Sequence, residues 1–514
     1  MTKLSDLEYL KLNRWQKMLY KIKLFFVSIP EFLWGIIVKI ALFFKGIGIK
    51  IINEVKDVYQ TFVKGDYKTK VSFFVMGFGS IARGQIFRGL LFFLFEVVFI
   101  LFMVFWGGYY ISRLDNLGEV ATEVVYDKVE IVPGVVQDVP RTIYVDNSFK
   151  ILLYGILALI FVIAFIYTWR LNIKQNKLAQ EIIDSGKKLK SGKEDIKSLV
   201  DDQFHKTLLA LPVIGIIVFT VLPIVFMVLI AFTNYDASHT PPDNLFTWVG
   251  SDNFNQILTW SSGTTNFSAT FGEILAWTLM WALFATFSNY FLGMLMAMAI
   301  NKKGIKLKKL WRTILVITIA VPQFVSLLYV SKMFDKDGLI NGLLLDLGVF
   351  KSVTETIDFW ANKHTARLLV ILINLWVGIP YLMLITTGIL MNIPTDLYES
   401  AKIDGANPIQ QYAKITLPYM LFVTGPYLLT SFINNMNNFN VIYLLTGGDP
   451  KSINLTGGAG YTDLLITWLY KLTVDSSNYK MAAVIGVLVF VVVAVISLIV
   501  YNVIPSIKNE EDFQ

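Results

Sequence analysis

Cysteine is absent from this 514-residue chain, and only three histidines occur. The first absence excludes disulfides and thiolate metal sites. His205, His239 and His364 stand far apart in sequence and form no metal-ligand spacing. Charge is scarce as well, at 16% of residues, where a soluble domain carries about 25%. The N-terminus lacks the short apolar run and small-residue cleavage site of a secretory signal. A nucleotide-binding loop is also missing. Gly79-Ser-Ile-Ala-Arg-Gly84-Gln85 keeps the G-x4-G spacing but has no Lys-Ser/Thr after it to reach phosphate and magnesium. It reads as a tight turn or as small-residue packing. With no Ser/His/Asp or Cys/His arrangement apparent, the chain is not expected to be an enzyme, and no cofactor or metal is implied. If it moves anything uphill, the energy comes from elsewhere.

What is abundant is apolar: 55% of residues are hydrophobic and 14% aromatic. The composition is that of an all-α, polytopic membrane protein. A helix needs about 20 mostly apolar residues to cross the hydrocarbon core. Eight runs qualify, at 89–112, 151–169, 207–232, 274–300, 313–331, 368–390, 416–434 and 481–504. No convincing internal repeat relates them. The loops between them alternate in charge. Loop 170–206 carries nine Lys/Arg and loop 301–312 carries six. Loop 233–273 carries none, and loop 113–149 sets seven acids against three bases. Basic loops face the cytoplasm, which places both termini, 170–206, 301–312 and 391–415 inside. The net charge of +7 is therefore a topology signal, and no nucleic-acid partner is implied.

The first 88 residues form a basic extension. Residues 24–44 are long enough to span but include Pro30, Glu31 and Lys39. Each charge at the bilayer centre costs on the order of 2.5–3.5 kcal/mol. A basic amphipathic segment lying in the membrane interface is the better expectation.

Polar residues inside apolar runs are candidates for function. Glu96 lies in the first span, about two turns from its cytoplasmic end, where snorkelling or a helix–helix hydrogen bond suffices. No chain of acids follows it, which argues against proton coupling. The sixth span contains Asn374-Leu-Trp-Val-Gly378-Ile-Pro380-Tyr381, and the seventh ends in Asn434-Asn435-Met-Asn437-Asn438. Asparagine both donates and accepts, which suits hydroxyl-rich solutes, while Gly378 and Pro380 loosen a helix. Two readings stand side by side: a polar pocket, or a span end wetting into a loop with interhelical hydrogen bonds. Pro322-Gln323 implies a kinked fifth span with an amide near its bend.

Between the sixth and seventh spans lies a polar stretch punctuated by turn residues. Ile393-Pro394-Thr395 begins a helix, and Asp396 and Glu399 favour its positive end. Asp404-Gly405 ends it, and Asn407-Pro408 starts another. Two short helices at an angle, on the cytoplasmic side, would either seat in a groove of another protein or pack on their own bundle.

Glu399-Ser-Ala-x3-Gly405-x9-Ile415-x-Leu417-Pro418 resembles the EAA motif of ABC importer permeases, departing only at Ser400. Further stretches resemble the maltose/maltodextrin permeases: Phe232-Thr-Asn-Tyr, Asn374-Leu-Trp-x-Gly-x-Pro-Tyr381, Asn437-Asn438-Phe439, Leu444-Leu-Thr446 and Ala459-Gly-Tyr-Thr-Asp463-Leu-Leu. The similarity covers roughly residues 205–505. It implies a type I ABC importer permease fold. It further implies a homologous second permease, two ATPase subunits seated on the EAA helices, an extracytoplasmic sugar-binding protein and an oligosaccharide substrate, all at the cytoplasmic membrane with its lipid. Glu399, Ala401, Asp404, Gly405, Leu417 and Pro418 would couple to the ATPase. Asn374, Gly378, Tyr381, Asn435 and Asn438, with Gln323 near the bend, would line a sugar pocket. The sequence departs from the family at Ile319, Gln323 and Asn434, so the sugar itself is not fixed, and loop 233–273 is short, so a binding protein would dock on short loops.

The expected organisation is an N-terminal extension 1–88, two spans in 89–204 with loops 113–149 and 170–204, a permease core 205–505 containing the hairpin 393–418, and a tail 506–514. The expected function is ATP-driven import of maltodextrin-like oligosaccharides. Galactan-derived sugars are the alternative substrate, and a proton-coupled secondary transporter is the alternative mechanism.

Overall fold

A computed structural model describes residues 13–503 apart from 120–121, 133–134, 190–191, 202, 260–265 and 303. The expected tail 506–514 lies outside the described residues. Seven described helices are long and apolar enough to cross a membrane: α4 (Ile86–Ile111), α5 (Ser148–Asp184), α6 (Phe204–Ile230), α8 (Phe267–Asn301), α11 (Lys363–Leu390), α13 (Pro408–Met436) and α16 (Tyr479–Tyr501). The eighth apolar run is a pair of helices, α9 (Lys308–Ala320) and α10 (Gln323–Met333), bent by 90°, which makes eight spans if the pair is counted as one. The eight expected runs are all present. The bend falls at Val321-Pro322, where the proline ring removes a backbone donor and blocks the preceding turn. It is a break rather than a kink. Helix α5 outruns its apolar stretch and carries the first half of the expected loop 170–206 as polar helix.

The chain packs as two units. The first holds the described residues up to Asp115 and Lys150–Pro223; the second holds Asn116–Phe149 and the described residues from Ile224.

In the first unit, α1 (Arg14–Lys64) is one continuous helix of 51 residues. Residues 24–44 are part of it, and α1 is not among the helices apolar enough to span. Between α2 (Tyr67–Val71) and α3 (Phe78–Ala82) the backbone is irregular. Irregular backbone near lipid must have its polar groups satisfied by protein. Here they are: Glu96 accepts from the Met76 N–H at 2.8 Å, Asn172 from Gly77 N–H at 3.0 Å, and Ser72 Oγ from Gly79 N–H at 2.6 Å. Glu96 is thus a helix-to-backbone bracket. The glycines allow the close fit. A Cβ on Gly79 would stand 2.1 Å from Asn176 Oδ1, and one on Gly77 would stand 2.0 Å from the Gly89 carbonyl oxygen. Buried Arg83 donates to Asp66 (2.5 Å), Thr69 (2.7 Å) and Asn176 (2.7 Å). The G-x4-G stretch is therefore a packing turn.

The second unit is built around α8. Its Trp277, Trp281 and Ala285 pack with Leu327, Val370, Ile373 and Val441, and Tyr290 and Met294 pack with Leu382 and Met420. Small residues bring α8 and α11 together: Gly293 lies against Leu382, and Gly378 against Asn289. On the extracytoplasmic side, Asp463 and Lys471 form a buried pair at 2.7 Å beneath the loop that joins α14 (Phe439–Leu445) to α15 (Leu465–Val474). Arg367 ties that loop to α8 by donating to the Tyr461 carbonyl (2.7 Å) and to Glu273 (2.9 Å). The unit also holds an antiparallel hairpin, β1 (Thr122–Val132) with β2 (Val135–Tyr144), in loop 113–149. The expected all-α, polytopic fold class holds, with this hairpin as a local addition. Among the described residues the fold is helical, with one two-stranded sheet outside the membrane-spanning helices.

Candidate functional site: a bend cavity and an exposed hairpin

The cytoplasmic hairpin is specified locally. Helix α12 (Thr395–Ile403) begins after Pro394 and has Asp396 in its first turn. It ends in a left-handed turn at Gly405, φ +78°. The Ala406 N–H donates to the Ala401 carbonyl at 2.8 Å and the Gly405 N–H to the Lys402 carbonyl at 3.0 Å. This paired closure is the Schellman form of helix ending, and it selects glycine at the turn. Asp404 is the C-cap residue between Ile403 and that turn. Asn407 then caps α13 through a reciprocal pair with Gln410, both bonds 2.8 Å, with Pro408 at the first position. A π turn at Tyr412–Thr416 precedes Leu417 and Pro418, widening the helix where the proline supplies no N–H. The hairpin is held to its own base by Tyr398 Oη and Thr416 Oγ1, 2.9 Å apart, and Leu417 packs on the Tyr290–Met420 cluster.

The outer face of the hairpin is uncovered. Glu399 and Asp404 are exposed, and Ile403 and Ile409 expose 87% and 77% of their surfaces. Both apolar side chains stand open on an otherwise polar element.

Halfway along α11 a cavity of about 390 Å³ opens against the α9–α10 bend. Thr318, Gln323, Ser326, Trp376 and Tyr381 line it, with Ile319 and Pro322. Volumes of roughly 300–1,000 Å³ are usual for small-molecule sites. Two aromatic rings, two hydroxyls and an amide make a lining suited to a sugar, whose faces are apolar and whose edges are hydroxyls.

The residues expected to line a pocket divide. Gln323 and Tyr381 do line this one. Asn374 is buried on α11 and is not in the lining. Gly378 does not loosen α11, which runs unbroken through Pro380. A Cβ there would lie 2.6 Å from the Asn289 amide nitrogen, so Gly378 serves close helix packing. Asn435 donates to Thr286 Oγ1 at 2.9 Å, and its carbonyl accepts from Trp281 Nε1 at 3.1 Å. Asn438 caps α14 by accepting from the Val441 N–H (3.2 Å) and donates to Asn435 Oδ1 (3.4 Å). Trp376, Thr318 and Ser326 were not singled out from the sequence. Trp376 lies inside the quoted motif, but the two hydroxyls have no sequence signal, because the bend and its packing against α11 bring them to the same cavity as Tyr381.

A helical membrane bundle with a cavity at a bent helix pair and an uncovered hairpin between two spans has the design of a translocation subunit. The family model for the binding-protein-dependent transport system inner membrane component matches residues 289–509. The maltodextrin transport system permease protein MalC of Streptococcus pneumoniae is 34% identical over 443 residues, covering 85% of this chain and 95% of that one. The galactooligosaccharides transport system permease protein GanP of Bacillus subtilis is 37% identical over 378 residues, 73% of this chain and 86% of that one. Among solved structures, a bacterial ABC transporter that imports alginate aligns with a TM-score of 0.47 and 22% identity, over 60% of this chain and 98% of that one. The chain belongs to the family of binding-protein-dependent inner membrane transport components. It is a permease subunit of an ABC importer in the cytoplasmic membrane, and not an enzyme.

Proposed function

We propose that this permease translocates maltodextrin-like oligosaccharides through the cavity at the α9–α10 bend, and that ATP energy enters through the hairpin of α12 and the start of α13. The observation that carries the sugar reading is the lining of that cavity, with Tyr381 and Trp376 as stacking surfaces and Gln323, Thr318 and Ser326 as hydroxyl partners. The resemblance to MalC supports the same substrate class. Tyr381 and Trp376 are each about half exposed, so one side of the cavity is open, and a homologous second permease would close it. One ATPase subunit would seat on Glu399, Ile403 and Ile409 and a second on the matching hairpin of the other permease, and an extracytoplasmic binding protein would deliver the sugar. Closure of the ATPase pair would then rock the spans and expose the cavity to each side in turn, the general logic of alternating access.

The test is uptake by the complete complex reconstituted in liposomes. A β-branched residue in a left-handed turn costs on the order of 1–2 kcal/mol. Gly405→Val should therefore distort the docking face and reduce ATP-driven uptake by about tenfold or more. Membrane insertion should persist, and hydrolysis should no longer respond to loaded binding protein. Normal uptake by that variant would sink the coupling assignment. Uptake that survives collapse of a proton gradient but stops without ATP separates this mechanism from secondary transport.

The identity to GanP favours a second substrate reading, galactooligosaccharides. Competition of each sugar class against labelled maltodextrin decides between them.

A further inference from the structure

The second half of α1, residues 45–64, carries a pattern that the transport function leaves unused. At 3.6 residues per turn its side chains fall into three sectors. One faces the protein: Asp57 and Thr61 are the least exposed polar residues of the segment. Arg170 of α5 donates to Glu54 and Asp57, both at 2.5 Å, and Lys177, two turns on, donates to Asp57 at 2.6 Å. A second sector, an arc of roughly 120°, holds Ile51, Ile52, Val55, Tyr59, Phe62 and Val63. All six are exposed, Val55 by 62% and Tyr59 by 70%. The third, bordering that arc, begins with exposed Lys45 and Lys56 and continues through Gln60 to Lys64.

The clamp ties the segment to α5 just past the end of its apolar run. Arg170 follows directly on the apolar run of α5, and the neighbouring Trp169 donates its indole N–H to the Phe73 carbonyl at 3.0 Å. Tryptophan followed by arginine at the end of an apolar run marks a membrane boundary, and the basic loop beyond it marks the cytoplasmic side. Both acids of the segment are engaged by the clamp. Of its four lysines, Lys45 and Lys56 border the apolar arc, Lys50 shares the sector of Asp57 and Thr61, and Lys64 stands beside Glu181 and Asp184.

We propose that residues 45–64 lie flat in the cytoplasmic interface of the bilayer, with the apolar arc in the acyl chains and the lysines among anionic lipid phosphates. An apolar arc flanked by lysines is the arrangement by which such helices bind anionic interfaces. The Glu54–Arg170–Asp57–Lys177 cluster holds the helix there. The occupant of the apolar face is lipid, and the assignment does not depend on which sugar the permease carries.

The absence of cysteine makes the test direct. Val55→Cys on the apolar arc and Asn53→Cys on the polar side are each labelled with an environment-sensitive fluorophore in the assembled complex, in nanodiscs containing phosphatidylglycerol. Brominated acyl chains should quench the Val55→Cys label at least about twofold more than the Asn53→Cys label, and a soluble quencher should reverse that order. Equal lipid quenching at both positions would overturn the proposal, since it describes a spanning helix. So would no lipid quenching at Val55→Cys, which describes a face covered by a protein subunit or by water. Exchanging phosphatidylglycerol for phosphatidylcholine should weaken the lipid quenching. Quenching that is independent of lipid charge would overturn the role given to the lysines.

Discussion

Gln323 with Tyr381 and Asn435 with Asn438 are two pairs of polar side chains that the sequence offers as sugar ligands on equal terms. The structure treats them differently. The first pair meets across a cavity at a broken helix, and Tyr381 stays half exposed. The second pair is engaged with the protein itself, through Thr286, the Val441 N–H and a bond between the two amides. Residue type states what a side chain can bond. Only packing determines whether that capacity is left for a ligand.

The comparison breaks most easily at Tyr381. Tyr381→Ala should lower uptake at saturating binding protein by about tenfold, a change of about 1.4 kcal/mol, with normal amounts of assembled complex. Gly378→Val tests the packing role of the glycine. Its Cβ would meet Asn289 at 2.6 Å, and forcing α8 and α11 apart should cost about 1–3 kcal/mol, seen as a lower melting temperature of the purified complex. Gln323→Ala, losing one neutral hydrogen-bonding group, should reduce uptake by about fivefold, or roughly 1 kcal/mol. Asn438→Ala should instead cost about 1 kcal/mol of stability as a lost helix cap, with uptake per folded complex little changed.

The smallest effect is one of pH, away from both pairs. Burial alone would raise the pKa of Asp236, but hydrogen bonds from Lys480, Ser238 and His239 outweigh it and hold this carboxyl well below its ordinary value of 3.8. A depressed carboxylate stabilises the fold fully above its unfolded pKa, and that contribution is lost as pH falls toward the folded one. Asp236→Asn should therefore flatten the acid limb of a melting-temperature profile below about pH 4 and leave the profile near neutrality parallel to that of the parent.

How much of this was legible in the sequence follows from how local each determinant is. The spans were readable because apolar length alone defines them. The hairpin was readable because Pro394, Gly405, Asn407 and Pro408 act on their own few residues, and the cap bonds at Ala401, Lys402 and Gln410 follow from that spacing. The cavity was half readable: Pro322 announced a disturbed helix, but a 90° break that sets Thr318 and Ser326 near Trp376 depends on packing against α11. The β1–β2 hairpin was missed because loop 113–149 was weighed only for charge. Its signal was the β-branched and aromatic run Val124-Val125-Tyr126 paired in register with Pro140-Arg141-Thr142, bounded by turns. The length of α1 is not legible in the apolar stretch 24–44, because the amphipathic period that continues the helix lies beyond Lys45.

The most direct test of the transport path sets one member of each pair against the other. Uptake per folded complex is measured for Tyr381→Ala and Asn438→Ala in the same liposomes, with the same sugar and binding protein. A cavity at the α9–α10 bend predicts a deep loss for Tyr381→Ala and near-parental uptake for Asn438→Ala. Near-parental uptake for Tyr381→Ala together with a deep loss for Asn438→Ala would contradict it and move the sugar path to the asparagines.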